Sequence, residues 1–176
     1  LTLAINLSAR QLRDEQLLPV LCESMEQCAA PAEALELEVT ESILLEDAAF
    51  ARQRLQTLRD AGFRIALDDF GTGYSSLSYL KQMPVDIIKI DKSFVQGMLD
   101  NPSDYQIIAS TIAMVQKLGL QVVAEGVESY QQLQLLQQHH CDLVQGFYFS
   151  RPLTQAQLQP FVNEITQQKW PAQLLR

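Results

Sequence analysis

The chain alternates short apolar runs with longer segments in which apolar residues recur with helical period. Six runs read as strands: Leu1–Leu7, Leu35–Val39, Ile65–Asp68, Asp86–Ile90, Gln121–Glu125 and Leu143–Gln145. Strands that alternate with helices form parallel βαβ units, because each crossover helix returns the chain to the same edge of the sheet. The pattern therefore predicts an α/β fold with a parallel sheet.

The intervening segments predict six helices. They are Glu15–Cys28, Ala48–Asp60, Ser75–Lys81, Ser103–Lys117, Tyr130–Gln138 and Gln155–Gln168. Asp14 is the predicted cap of the first helix, and Pro19 must then lie in its first turn, where a missing N–H is tolerated. Gly119 is the predicted stop after the fourth. The glutamines between residues 131 and 138 are predicted to lie on solvated helix faces.

The two faces of the predicted strands differ in polarity. Successive side chains of a strand point to opposite faces, so Leu37 and Val39 lie opposite Glu36 and Glu38. A doubly wound sheet would be apolar on both faces. One apolar face and one polar face are typical of a (β/α) barrel with its active site at the carboxyl-terminal mouth. A whole barrel needs eight strands in about 250 residues, so 176 residues predict a TIM-like barrel incomplete at its N-terminus.

Polar side chains stand at or just beyond the end of every predicted strand. They are Asn6, Glu38, Glu41, Asp68, Asp69, Lys89, Glu125, Glu128 and Gln145. Strand ends converge in a barrel, so these carboxylates would have raised pKa values unless positive charge lies among them. Asp, Glu and Asn oxygens suit hard cations such as Mg²⁺ or Mn²⁺. Two such ions can stabilise the attacking and leaving oxygens in phosphoester hydrolysis.

Each of these residues also has an ordinary structural interpretation. Asp68 and Asp69 precede a glycine and could simply form a turn. Lys89 could extend to the surface. Asn6 could cap the next helix, and Glu125 could be an acid at a helix entry. The repetition of the same placement in all six strands favours the functional interpretation.

Composition and charge narrow the possible partners. The chain is 47% hydrophobic and 19% charged, as in soluble globular proteins, and its net charge of -8 argues against a DNA or RNA partner. A phosphate ligand remains compatible if divalent cations lie between it and the protein. No membrane span or signal peptide is evident, and three unpaired cysteines predict reduced thiols in the cytoplasm, although the parent protein could be membrane-anchored. His139 and His140 are predicted to be surface residues.

Five motifs together resemble the EAL domain, a family of bacterial phosphodiesterases that linearise cyclic di-GMP to pGpG. The motifs are "NLSARQL" (6–12), "LELEVTES" (35–42), "IALDDFGTGYSSLSYLKQMPVDIIKID" (65–91), "VVAEGVE" (122–128) and "VQGFYFSRPL" (144–153). The resemblance implies a partial EAL domain over residues 1–168 and a tail over residues 169–176. The Glu-Ala-Leu signature, whose glutamate is a metal ligand in the family, is not among these residues. We therefore expect a longer parent protein with upstream regulatory domains, and little activity from this fragment alone.

The resemblance also implies two Mg²⁺ or Mn²⁺ ions at the barrel mouth. Carried over by motif, Asn6, Glu38 and Asp68 would hold one ion. Asp68 would bridge to the second, which Asp69 and Glu125 would share. The expected ligand is cyclic di-GMP.

Supporting roles are implied for the remaining strand-end residues. Lys89 would hold or activate the attacking water, with Gln145 and Glu128 supporting the water and the metal ligands. Glu41 would anchor the loop 70–80, which in this family lies near a dimer contact and links dimerisation to metal binding. The loop positions concerned are Phe70, Gly71, Thr72 and Gly73. A cyclic di-GMP receptor without catalysis, and an interaction domain that binds no nucleotide, are the alternatives.

Overall fold

The computed structural model describes residues 1–71 and 80–167. In this part of the chain, six strands form one sheet in which neighbours follow chain order and every adjacent pair is parallel. The strands are β1 (Leu3–Asn6), β2 (Leu35–Thr40), β3 (Arg64–Phe70), β4 (Ile87–Ile90), β5 (Gln121–Ala124) and β6 (Leu143–Val144). The sheet is a curled half-barrel, and the predicted TIM-like α/β class, incomplete as a barrel, is confirmed.

Eight α-helices lie within the described residues. They are α1 (Ala9–Arg13), α2 (Leu17–Gln27), α3 (Glu41–Glu46), α4 (Ala48–Asp60), α5 (Lys92–Gly97), α6 (Pro102–Lys117), α7 (Tyr130–Gln138) and α8 (Gln155–Gln167), with a 3-10 turn at Ala32–Ala34. Five of the six predicted helices coincide with α2, α4, α6, α7 and α8, whereas most of the predicted helix Ser75–Lys81 falls outside the described residues. The short helices α1, α3 and α5 were not predicted.

The helix ends follow local chemistry, with one correction. Pro19 lies in the first turn of α2, as predicted, and α6 ends at Lys117, followed by Gly119 with a φ of +75°. The prediction that Asp14 caps α2 is wrong, because Gln16 holds the cap position. The Asp14 carboxylate instead accepts the Gln16 N–H at 2.9 Å.

The two faces of the sheet pack differently. The outer face, with Leu37, Ile65 and Ile88, belongs to the large hydrophobic core shared with the helices. The inner face contributes a small separate cluster of Ala66, Ile87 and Val123. The predicted contrast between the faces is confirmed, and the small inner cluster leaves the carboxyl ends of the strands to polar groups.

No helix in the described ranges combines the length and the apolar character that a bilayer span requires; the longest, α6, has 16 residues. Cys22, Cys28 and Cys141 carry free thiols.

Candidate active site

A bulge in β3 sets the positions of the two adjacent acids. The register with β4 shifts between Leu67 and Phe70, so Asp68 and Asp69 together lie opposite the single residue Lys89. Asp69 has a φ of +55°, a left-handed conformation that Asp adopts more readily than most residues. A regular strand would point consecutive side chains to opposite faces. The bulge therefore allows both acids to lie near the same lysine.

Lys89 is the positive centre of the half-barrel mouth. Its Nζ lies 2.5 Å from Glu38 Oε1, 2.6 Å from Glu125 Oε1 and 3.5 Å from Asp68 Oδ1. Only 4% of the lysine side chain is exposed. Carboxylates from β2, from β3 and from the residue that follows β5 thus converge on one buried ammonium, as expected for side chains at the carboxyl ends of parallel strands.

The pKa values in this cluster are shifted by burial and by mutual charge. Burial alone would lower the pKa of Lys89, but its hydrogen bonds with Glu125 and Glu38 outweigh that effect and raise it above the ordinary value. Burial raises the pKa of Glu125, and Lys89 offsets only part of this shift. Burial and repulsion from Asp68 also raise the pKa of Asp69. The positive charge at the mouth thus offsets the burial and mutual repulsion of these carboxyl groups only in part.

Two further predicted site residues, the metal ligand Asn6 and the loop anchor Glu41, lie on elements next to this cluster. Asn6 ends β1, in register with Glu38 on β2, and is exposed. Glu41 begins α3 directly after β2 and is 3% exposed. Its predicted role in anchoring the loop 70–80 concerns residues outside the described ranges, among them Thr72 and Gly73, and stays a prediction.

The start of that loop is described as far as Gly71. Phe70 is buried, and Gly71 has a φ of +101°, which favours glycine. A Cβ at Gly71 would lie 3.0 Å from the ring of Phe94 on α5. The chain therefore leaves β3 in close contact with the helix that follows β4.

Glu128 and Gln145 lie beyond the ends of β5 and β6, and both are exposed. The backbone of Gln145 joins the two strand ends, because its N–H donates to Ala124 O at 2.9 Å and its carbonyl accepts the Val127 N–H at 3.0 Å. The structure thus brings Glu38, Asp68 and Glu125 into contact with Lys89, and places the side chains of Glu128 and Gln145 in solvent.

The donor set fits hard divalent cations. Carboxylate oxygens of Glu38, Asp68 and Glu125 already surround one cation, the Lys89 ammonium, and Asp69 follows Asp68 directly. Oxygen ligands of this type are those that Mg²⁺ and Mn²⁺ prefer. Within residues 1–71 and 80–167, however, no group of three or more His, Cys, Asp or Glu side chains is already arranged to hold an ion.

Gln132 is a polar residue of this region that the sequence interpretation missed. It is 6% exposed, so the prediction that the glutamines of residues 131–138 are all solvated is wrong. Its Oε1 accepts the N–H groups of Glu128 (2.8 Å) and Ser129 (3.0 Å), and its Nε2 donates to Val95 O (3.0 Å). It therefore fastens the loop that carries Glu128 to α5. The Ser-x-x-Gln capping-box spacing was the available signal.

Asp91 was not singled out from the sequence, and His139 was placed wrongly. Asp91 caps α5, its Oδ1 accepts the Ser93 N–H at 3.0 Å, and its charge helps to raise the pKa of Asp69. The prediction of a surface residue is wrong for His139, which is half-buried with Nε2 2.9 Å from the Tyr105 hydroxyl. The ring contact joins α6 to the end of α7.

Comparison with known proteins identifies the family of this chain. The EAL domain family matches residues 1–152. The cyclic di-GMP phosphodiesterase NbdA of Pseudomonas aeruginosa is 45% identical over 163 residues, which are 93% of this chain and 21% of that protein. The chain spans about a fifth of the length of curated relatives such as NbdA.

Solved structures agree in fold. The PaMucR phosphodiesterase in complex with c-di-GMP superposes with a TM-score of 0.84 at 38% identity, over 89% of this chain and 64% of that one. The Klebsiella pneumoniae BlrP1 manganese/cy-diGMP complex superposes with a TM-score of 0.79 at 36% identity, over 86% of this chain and 39% of that one. The chain belongs to the EAL domain family.

Proposed function

We propose that this chain is the catalytic part of a divalent-metal-dependent phosphodiesterase that hydrolyses cyclic di-GMP to linear pGpG in bacterial second-messenger signalling. The observation that carries the proposal is the convergence of Glu38, Asp68 and Glu125 on buried Lys89. The name of NbdA and the ligand in the PaMucR complex support the substrate. The proposed domain covers residues 1–168, with residues 169–176 as a tail.

Charge is the reason for requiring metal ions. Cyclic di-GMP is a dianion, and the mouth is acidic in a chain of net charge -8, so the phosphates and carboxylates would repel each other. The manganese in the BlrP1 complex supports Mg²⁺ or Mn²⁺ as the bridge. The proposed ligands are Asn6, Glu38 and Asp68 for one ion and Asp68, Asp69 and Glu125 for the other. Bound ions would supply Lewis acidity and neutralise developing charge on the phosphoryl oxygens.

The reaction adds one water to one phosphodiester. A water oxygen bonds to phosphorus, the bond from phosphorus to the 3′ oxygen breaks, and the released 3′ oxygen gains a proton. Lys89 would hold or help to activate the attacking water. Glu125 would accept from the water, and Gln145 and Glu128 would help to hold it.

The remaining parts of the proposal concern assembly. Glu41 would connect the metal ligands to the loop 70–80 and thereby to a second copy of the chain. Regulatory domains elsewhere in the parent protein would act on this dimer, and the reaction would take place in the cytoplasm. DNA and RNA are not proposed as partners, because the chain is acidic.

The test incubates the full-length protein with cyclic di-GMP and Mg²⁺ or Mn²⁺. The formation of pGpG is measured by chromatography. Asp68→Asn and Glu38→Gln keep the side-chain size but remove a charged ligand, and each should lower turnover at least about 100-fold. A chelator should abolish turnover in the wild type. Asp68→Asn turnover close to that of the wild type would contradict the assignment. Cyclic di-GMP binding without turnover in the wild type would identify a receptor instead.

Glu36→Gln is the matched control. Glu36 lies on the same strand and face as Glu38, is 9% exposed, and interacts electrostatically with Arg64. Burial raises its pKa, so loss of the charge in Glu36→Gln relieves a desolvation cost. Glu36 lies two residues before Glu38 and therefore further from the mouth. Glu36→Gln should retain turnover within about threefold of the wild type, a much smaller loss than that expected for a metal ligand.

A further inference from the structure

We propose that the Lys89 ammonium occupies the place of a divalent cation in the metal-free protein, and that a metal ion binds by displacing it from Glu38 and Glu125. The inference rests on the proposed function in one respect, that a divalent ion binds at the mouth. It adds a step to metal loading in which a side chain of the chain itself is the competitor.

The first support is that the lysine contacts carboxylate oxygens of residues that are also proposed to bind the metal ion. Lys89 Nζ contacts Glu38 Oε1 at 2.5 Å and Glu125 Oε1 at 2.6 Å, and both carboxylates are proposed metal ligands. Divalent ions bind carboxylate oxygens at about 2.0–2.6 Å. An ion and the ammonium on the same two oxygens would lie within a few ångströms of each other, where like charges repel strongly.

The second support is the arrangement of the ligands. Glu38, Asp68 and Glu125 are all within 3.5 Å of the ammonium, yet no trio of acidic, His or Cys side chains in the described ranges is arranged to hold an ion. The carboxylates are oriented toward the lysine, each through a single oxygen. Release of Lys89 would free these oxygens for a metal ion.

The third support is the burial of the pair. Glu38 is 6% exposed and Lys89 is 3% exposed, so water screens little of the attraction between their charges. A buried carboxylate that loses its partner is costly, so either the ammonium or a metal ion must be present. The alternative is a permanent ion pair, in which Lys89 keeps both contacts while metal ions bind elsewhere in the mouth.

The first experiment compares Mn²⁺ binding and thermal stability of the full-length wild type, Lys89→Met and Lys92→Met. Lys92 is exposed, and its charge also acts on the mouth carboxyl of Asp69, which makes it a matched control. Without metal, Lys89→Met should melt below the wild type. With saturating Mn²⁺ the gap should close or reverse, and the Kd for Mn²⁺ should fall at least about tenfold, whereas Lys92→Met should change it less than about threefold.

A Lys89→Met protein that is destabilised equally with and without Mn²⁺, and binds Mn²⁺ no more tightly, would overturn displacement while leaving the metal site intact. A wild type that binds no Mn²⁺ would overturn both the proposed function and this inference.

The second experiment needs no variant. Crystal structures of the wild-type protein without and with Mn²⁺ should show the Lys89 Nζ within hydrogen-bonding distance of Glu38 and Glu125 only in the metal-free state. Retention of both contacts in the Mn²⁺-bound state would overturn the inference.

Discussion

Replacing Gly146 by alanine should force apart the chain segments that follow β5 and β6. A Cβ at this position would lie 2.1 Å from Val127 O, 2.3 Å from Val127 N and 2.7 Å from Val127 C. Ordinary van der Waals contact begins at 3.4 Å, so the atoms must separate by more than 1 Å. The obstructing atoms are backbone and cannot swing aside as a flexible side chain would.

The size of the effect follows from what that separation breaks. Val127 donates to Gln145 O at 3.0 Å and accepts from the Tyr148 N–H at 2.9 Å. Each lost hydrogen bond costs about 0.5–1.5 kcal/mol, and overpacking adds about 1–3 kcal/mol. The free energy of unfolding should therefore fall by about 4 kcal/mol, which lowers the Tm of a domain of this size by roughly 8–16 °C.

Urea denaturation followed by circular dichroism measures the loss, with Gly119→Ala as control. Gly119 has a φ of +75° and no atom within 4 Å of a built Cβ, so its substitution costs only about 1–2 kcal/mol of left-handed strain. The φ of Gly146 is not positive, so Gly146→Ala adds no left-handed strain and measures the steric effect alone. If Gly146→Ala proved no more destabilising than Gly119→Ala, the reasoning from close approach would be refuted.

Three further predictions concern single side chains. Because Asp69 has a φ of +55°, Asp69→Val should destabilise the protein by about 1–2 kcal/mol more than Asp69→Asn in the same denaturation assay, and equal losses would contradict the bulge geometry. Burial raises the pKa of the Cys141 thiol from 9.0 to about 12, so the unfolded chain loses this proton first as the pH rises. Stability should therefore fall between these pH values, more steeply in the wild type than in Cys141→Ala; identical pH profiles would refute the shift. Tyr105→Phe removes the hydroxyl next to His139 Nε2 and should cost about 0.5–1.5 kcal/mol, detectable as a lower urea midpoint, while an unchanged midpoint would show that the contact contributes nothing.

The strands and their faces could be predicted because each strand repeats a simple alternation. Leu37 and Val39 against Glu36 and Glu38 identify the outer and inner faces of β2, and both assignments hold in the structure. The short helices could not be predicted in this way. Helix α1 has five residues and α3 and α5 have six each, too few for a helical period to be visible.

The strand-end acids could be placed at the mouth, but their contacts with Lys89 could not. Those contacts depend on interatomic distances and on the register shift in β3, neither of which the pattern of residue types reports. Gln132 was missed for a related reason, because composition made it one of several glutamines. Its capping-box spacing from Ser129 and its hydrogen bonds with Glu128 and Val95 distinguish it from the solvated glutamines.

The extra residue in β3 also reverses the parity of the strand. Phe70 is two residues from Asp68 and four from Ala66, so in an uninterrupted strand its ring would point into the mouth with them. Instead it joins the outer core with Leu67 and Ile90. One inserted residue therefore exchanges a phenyl ring for a second carboxylate at the mouth. Deleting Asp69 would restore a regular strand in which Asp68 still points into the mouth and Phe70, now the next residue, still points outward, so the mouth would lose one carboxylate without gaining the ring.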